Sequence, residues 1–207
     1  MCETRLWADG YCRIAGLDEA GRGAWAGPVV AAAVILPAGD PELIRRLEGV
    51  RDSKQLSASR RELLLTVIQE QAVAWSIGAV PPAEIDMLGI VPATQKAMAL
   101  ALQSLTQSPD YLLVDYISLP ELSVPQQSLS KGDARVLSIA AASIVAKVSR
   151  DQMMVELEDR FPGYGFARHK GYGTVQHRAA LVSQGPCAVH RFSFAPVRTL
   201  DGETSVD

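Results

Sequence analysis

The chain has 207 residues, 48% of them hydrophobic and 21% charged, with a formal net charge of −3. That length and composition describe an ordinary globular protein able to bury a core without disulfides or a structural metal. Cys2, Cys12 and Cys187 are odd in number, scattered and without a Cys-x-x-Cys pair, which argues against a disulfide framework or a cysteine zinc site.

Met1 to Gly10 carries Glu3, Arg5 and Asp9 and holds no apolar signal core, so residues 1–12 read as an N-terminal extension. Arg13 to Leu17 is a short apolar run and predicts a strand that delivers Asp18 and Glu19 at its end. Gly21, Gly23 and Gly27 then permit a tight backbone, and Pro28 to Leu36 predicts a second, buried strand. Its apolar run, Val29 to Leu36, is the longest in the chain and too short to span a bilayer. A soluble, unanchored, cytoplasmic protein is expected.

Ser57 can cap a helix running to about Ala72, with Leu63, Leu64, Val67 and Ile68 on one face. Trp75 to Val80 predicts a third strand, stopped by Pro81-Pro82, and Ile90 to Leu105 an Ala/Leu-rich helix. Tyr111 to Val114 predicts a strand ending in Asp115, followed by a short strand near Gln127 to Leu129 and the turn Lys131-Gly132-Asp133. Val136 to Arg160 predicts the longest helix, which Asp133 begins. Beyond Pro162 the chain is rich in glycine and aromatics up to Tyr172. A helix from about Thr174 to Ser183 and a loop ending Arg191-Phe192-Ser193-Phe194 complete the ordered part. The alternation predicts an α/β domain over residues 13–200, with a central mixed sheet flanked by helices and a mainly helical region at about 160–200. Residues 201–207 read as an acidic, disordered tail.

From Arg160 to Leu200 there is no Asp or Glu, whereas Arg160, Arg168, Lys170, Arg178, Arg191 and Arg198 and all three histidines fall there. Such a tract fits either a phosphate-binding surface or a solvated face that lacks acids.

Three constellations can carry chemistry. Acids at the ends of separate strands can converge in the crevice that strand ends share. Their mutual repulsion then calls for hard divalent cations such as Mg²⁺ or Mn²⁺. Two such ions, roughly 3.5–4 Å apart, serve phosphodiester cleavage. Any single Asp at a strand end also reads as a cap or turn residue. The stretch Gly21 to Gly27 superficially matches a dinucleotide-binding turn, but its spacing is one residue too long. A strand also follows where a phosphate-binding helix should begin, so that reading is rejected. Glycines holding Arg22 beside a carboxylate pair instead suit close approach to a sugar-phosphate, or form a plain turn. Phe166 to Gly173 interleaves bases with aromatics, which suits phosphate contact and stacking. Taken alone, Tyr172 fits a packing residue, and His169 a phosphate contact, a structural hydrogen bond or a proton shuttle.

Together these segments closely resemble bacterial ribonuclease HII, the type 2 ribonucleases H, from Ile14 to about Val197. The resemblance runs through Gly16-Leu17-Asp18-Glu19-Ala20-Gly21-Arg22-Gly23, Asp52-Ser53-Lys54-Gln55-Leu56-Ser57, Glu84-Ile85-Asp86, Leu113-Val114-Asp115 and Lys131-Gly132-Asp133. It continues through Ala141 to Asp151, His169-Lys170-Gly171-Tyr172 and His190-Arg191-Phe192-Ser193-Phe194. It implies a ribonuclease H-like fold with Asp18, Glu19, Asp115 and Asp133 as catalytic, metal-binding acids for two Mn²⁺ or Mg²⁺ ions; Asp151 also lies in a family motif but reads as structural, because it falls about five helical turns beyond Asp133. It further implies recognition of the ribose 2′-OH by Gly21, Arg22 and Gly23 and stacking of Tyr172 on the following deoxyribose. Lys54, Lys170 and Arg191 are candidate phosphate contacts.

The implied activity is an endonuclease, acting as a monomer. It would cut the RNA strand of RNA–DNA hybrids and the 5′ side of ribonucleotides embedded in DNA, leaving 3′-hydroxyl and 5′-phosphate ends. A sliding clamp is a conceivable partner that the sequence does not show. The rival reading is a non-catalytic nucleic-acid-binding protein, against which the four acids count. Tyr116 departs from the family, which usually has glycine after this aspartate.

Overall fold

The computed structural model describes residues 2–50 and 56–203, and among those 200–203 for the backbone alone. Its centre is a five-stranded mixed sheet in the order β3-β2-β1-β4-β5, built from β1 (Ile14–Ala20), β2 (Val29–Ile35), β3 (Ala74–Val80), β4 (Tyr111–Asp115) and β5 (Gln126–Leu129). β1, β2 and β3 pair antiparallel; β4 and β5 join parallel to β1 and to each other.

β2 is buried along its whole length, as a continuous apolar run bounded by proline predicts. Alternation sends Ala32 and Val34 to one layer and Ala31, Ala33 and Ile35 to the other. The first layer is covered by α6 (Leu137–Arg160) and α3 (Ala58–Gln71), the second by α5 (Ile90–Gln103). Backbone meets backbone where α6 crosses β1. A Cβ on Gly16 would stand 2.2 Å from the Ser138 carbonyl carbon, so only glycine lets the helix settle there. That approach places α6 over the carboxylate end of β1.

Several elements differ from expectation. β1 runs on through Ala20, so Asp18 and Glu19 lie inside the strand rather than beyond it. The long helix begins at Leu137; Asp133 sits in a separate 3-10 turn, Gly132–Ala134, entered through a left-handed Lys131 (φ 55°). Ser57 caps α3 as anticipated, its Oγ accepting from the Arg60 amide, yet Leu63 on that helix is exposed while Leu64 and Ile68 are buried. Pro81-Pro82 ends β3 but also opens α4 (Pro82–Leu88), because proline fits the first helical turn. The sequence patterns miss α1 (Cys2–Ala8), α2 (Leu43–Arg46), α7 (Phe166–His169) and α9 (Ala195–Glu203) as well. α8 (Val175–Gln184) matches its expected span, with Thr174 as cap. Since α9 continues through 203, the expected tail begins as helix, and 204–207 lie outside the described residues.

No helix among the described residues is long and apolar enough to cross a membrane.

Candidate active site

In the parallel pair, Leu17 of β1 faces Val114 of β4, so the next residues along the two strands are Asp18 and Asp115. Asp18, Glu19 and Asp115 line one cleft of about 430 Å³, floored on the α6 side by Ser143 and Lys147 and rimmed by Gly21, Arg22, Gly23 and Tyr172. Asp115 Oδ1 accepts from the Gly132 amide at 2.7 Å, which ties the end of β4 to the turn that carries Asp133. Asp133 itself is buried, with Oδ1 accepting from the Ala134 amide at 3.0 Å, and it does not line the cleft.

Crowding three acids into a buried site has an electrostatic cost. Burial first, then the charges of Glu19 and Asp115, push the Asp18 carboxyl up to about 8. The Ser143 hydroxyl and the Glu19 amide, which donates to Asp18 Oδ1 at 2.7 Å, pull the other way. Burial also raises Glu19, opposed by Arg22, whose Nη1 lies 3.3 Å from Glu19 Oε1. Glu19 Oε2 is buried without a hydrogen-bond partner. Among the described residues no three Asp, Glu, His or Cys side chains already surround one point as a finished metal cage. The donor set is nevertheless all oxygen, anionic and partly unsatisfied, which fits a hard divalent cation.

The glycine loop is held from behind by two arginines. Arg150 and Arg191 are the largest fully buried side chains among the described residues. Arg150 donates to the carbonyls of Pro28 (2.9 Å), Ala26 (3.1 Å) and Lys170 (2.9 Å). Arg191 donates to those of Gly27 (3.0 and 3.1 Å) and Arg22 (2.8 Å). The phosphate contact expected of Arg191 is therefore corrected: its guanidinium is enclosed and spent on backbone carbonyls, so it shapes the loop. Burial, then the neighbouring charge of Arg150, pushes it down to about 9, still protonated at neutral pH.

The consequence lies on the other side of the loop. In a trans peptide the C=O and N–H point opposite ways. With the Arg22 carbonyl turned inward onto Arg191, the Gly23 N–H turns away from Arg191. Gly21 is required by the protein itself: φ is +93° and a Cβ would stand 1.9 Å from Arg150 Nε. Gly23 is different, since a Cβ there would meet nothing within 4 Å.

Tyr172 stands half-exposed on the rim, its ring centroid 5.4 Å from the Arg150 guanidinium carbon and 5.8 Å from Lys147 Nζ. Lys147 also pairs with Asp151 (2.7 Å). Lys170 turns its Nζ to the Ala167 carbonyl and borders an adjacent depression with Arg61 and Asp151, outside the cleft. Arg61 lines both hollows. Lys54 lies outside the described residues. Asp86 accepts from the amides of Phe192 (2.9 Å) and Ser193 (3.0 Å), so the Glu84-Ile85-Asp86 motif anchors the segment that carries Arg191. The expectations missed Ser143, Lys147, Arg150 and Arg61. The first three recur at i, i+4 and i+7 along α6, a helical spacing on one face that could have flagged them.

Residues 15–197 match the family model described as ribonuclease HII. Ribonuclease HII of Chloroflexus aggregans is 54% identical over 198 residues, covering 96% of this chain and 93% of that protein. Among solved structures, ribonuclease H2 from Pyrococcus horikoshii OT3 superposes with a TM-score of 0.78 at 26% identity, covering 94% of this chain and 100% of that one. The RNase HII of Archaeoglobus fulgidus, solved as a complex with PCNA, gives 0.75 at 29% identity, with 90% and 96% covered.

Proposed function

The chain belongs to the ribonuclease HII family of ribonuclease H endonucleases, and from that premise we propose that it cuts RNA–DNA hybrids and the 5′ side of ribonucleotides embedded in DNA, by two-metal-ion hydrolysis that leaves 3′-hydroxyl and 5′-phosphate ends. The observation that carries the reading is the meeting of Asp18, Glu19 and Asp115 in one cleft whose rim holds the glycine loop and Tyr172.

Asp18, Glu19 and Asp115 would hold the divalent ions, Mg²⁺ or Mn²⁺, in the cleft, and Asp133 would join them from the adjacent turn that the Gly132 amide ties to Asp115. When bound, such ions supply a water of lowered pKa and neutralise charge at the leaving 3′-oxygen. Ser143 and the Glu19 amide keep Asp18 oriented, and the Gly132 amide keeps Asp115 oriented. Arg22 restrains Glu19 with one guanidinium nitrogen and leaves other donors for the scissile strand. The Gly23 N–H and the open space beside its Cα suit a sugar-phosphate lying against the loop, where a 2′-OH marks RNA. Tyr172 would then pack on the deoxyribose that follows.

The test is cleavage of a DNA duplex holding one ribonucleotide, with and without Mg²⁺ or Mn²⁺. Cleavage should require the metal, and Asp115→Asn should lower kcat by at least ~100-fold while hybrid binding survives, as expected when charge stabilisation at the reacting centre is removed. An Asp115→Asn protein that cuts at the normal rate overturns the assignment. Binding without any metal-dependent cut would favour the non-catalytic reading.

A further inference from the structure

The three histidines of the acid-free tract do not reach the cleft. They are buried behind Tyr172 in a pack with Trp25, Tyr164 and Phe166. His177 Nδ1 lies 3.1 Å from the Tyr172 carbonyl, His177 Nε2 lies 3.0 Å from His190 Nε2, and the Cys187 amide donates to His190 Nδ1 at 2.9 Å. On the other side, the Gly171 amide donates to His169 Nδ1 at 3.2 Å, and His169 Nε2 lies 2.8 Å from the Tyr164 carbonyl.

For neutral imidazoles these contacts select one consistent set of tautomers. A carbonyl only accepts, so His177 carries its proton on Nδ1 and its Nε2 is bare. His190 must therefore donate from Nε2, which leaves its Nδ1 bare, as the Cys187 amide requires. The Cys187 carbonyl, 3.2 Å from that same nitrogen, takes the His190 amide at 2.9 Å, and the Tyr172 carbonyl accepts from both His177 and the Thr174 amide at 2.8 Å; it is the Cys187 amide that keeps His190 Nδ1 bare. By the same reasoning His169 is protonated on Nε2 alone. The result is a directed chain of neutral imidazoles: Cys187 N–H to His190, His190 to His177, His177 to the Tyr172 carbonyl. His169, stacked on His177 with centroids 4.4 Å apart, holds the adjoining Gly171 amide.

His177 thus engages the peptide that follows the Tyr172 Cα, while His169 holds the Gly171 amide one peptide further back. The Gly171 carbonyl meanwhile accepts from the Trp25 amide at 2.8 Å, which fastens the same segment to the glycine loop.

We propose that His177, oriented by His190, is a positioning residue that sets Tyr172 against the glycine loop and thereby sets the preference for a deoxyribose after the ribonucleotide. The inference rests on the reading of Tyr172 as the deoxyribose contact, so its test includes Tyr172 itself. The side-chain amide of Asn can place an N–H near Nδ1 of the histidine it replaces, whereas that of Gln reaches toward Nε2. The two histidines should therefore respond in opposite ways. The readout is the ratio of kcat/KM on a single-ribonucleotide DNA duplex to that on a duplex whose cleaved strand is all RNA.

Tyr172→Ala, His177→Gln and His190→Asn should each move that ratio toward the all-RNA substrate by about tenfold, within the range expected for a misplaced contact group. His177→Asn and His190→Gln should stay within about twofold of wild type, well inside that same range. If Tyr172→Ala leaves the ratio unchanged, the deoxyribose reading itself fails. If Tyr172→Ala shifts it but the Asn and Gln variants at each histidine behave alike, the positioning role is wrong. Should a variant not fold, ¹⁵N spectra of the wild-type imidazoles decide: His177 must be protonated at Nδ1, His169 and His190 at Nε2. A His177 protonated at Nε2 overturns the chain.

Discussion

Tyr116 shows how a bulky side chain is held in a backbone conformation that favours glycine. The Ile117 amide closes on the Asp115 carbonyl at 2.7 Å, a three-residue turn that holds Tyr116 at φ 62°. Such turns with positive φ are strained for any side chain, which explains why glycine suits this place. The ring is itself exposed, 6.0 Å from the Arg22 guanidinium carbon, so little packing offsets the strain. A left-handed L-residue costs ~1–2 kcal/mol, and glycine gives back about 0.4–1 kcal/mol through the freer unfolded chain. Tyr116→Gly should therefore stabilise the protein by about 0.5–1 kcal/mol, the difference of those two terms. The check is a higher urea midpoint at unchanged slope; a lower midpoint would mean that the ring contributes more than its exposure suggests. Arg191 teaches the opposite lesson, because a charge read from sequence does not say whether it meets solvent or backbone carbonyls.

At the scale of elements, legibility followed whether an element's stability is local. β1, β2 and α6 were readable because a continuous apolar run or an alanine-rich stretch marks burial by itself. α1, α2, α4, α7 and α9 are short, and short helices are held by tertiary contacts rather than by propensity, so no local pattern announces them. The sequence pattern places Asp133 at the head of α6 because nothing in Lys131-Gly132-Asp133 reveals the left-handed Lys131 that breaks the path. α1 is the clearest case of distant support. Val136, the N-cap of α6, offers no side-chain acceptor. Instead Glu3 Oε1, buried on α1, accepts from the Ser138 amide at 3.0 Å and from its hydroxyl at 3.2 Å. A carboxylate at a helix N-terminus satisfies a free amide and complements the dipole. Glu3→Ala should cost about 1–2 kcal/mol, the value of a lost N-cap, and should speed hydrogen exchange at the start of α6. Glu3→Gln retains an acceptor and should cost less than Glu3→Ala. Equal losses would show that α1 contributes packing alone.

For the whole molecule, two buried groups of titrating residues pull stability in opposite directions. Burial, with the hydrogen-bonded neighbour at His177 adding to it, holds His190 down to about 4, and burial, with His169 adding, holds His177 there too. Both bind protons more weakly folded than unfolded, so their contribution is complete above about 6.5, the ordinary histidine value. It is lost as the pH falls through about 4. Asp18 behaves in the reverse sense. Its folded value, about 8, lies above its unfolded 3.8, so its contribution is present at low pH and lost as the pH rises through 8. A divalent cation held by the acids acts on the second front alone, because it favours the ionised carboxylate and competes with the proton. Saturating Mg²⁺ or Mn²⁺ should accordingly raise Tm more at pH 8.5 than at pH 6, and should not rescue the acid-side loss between pH 6 and 4.5. Asp18→Asn, which removes the titrating carboxylate, should flatten the metal-dependent difference between the two upper pH values. Melting curves at the three pH values, with metal and with chelator, separate the fronts; a metal-induced shift equal at pH 6 and pH 8.5 would remove Asp18 from the cation site.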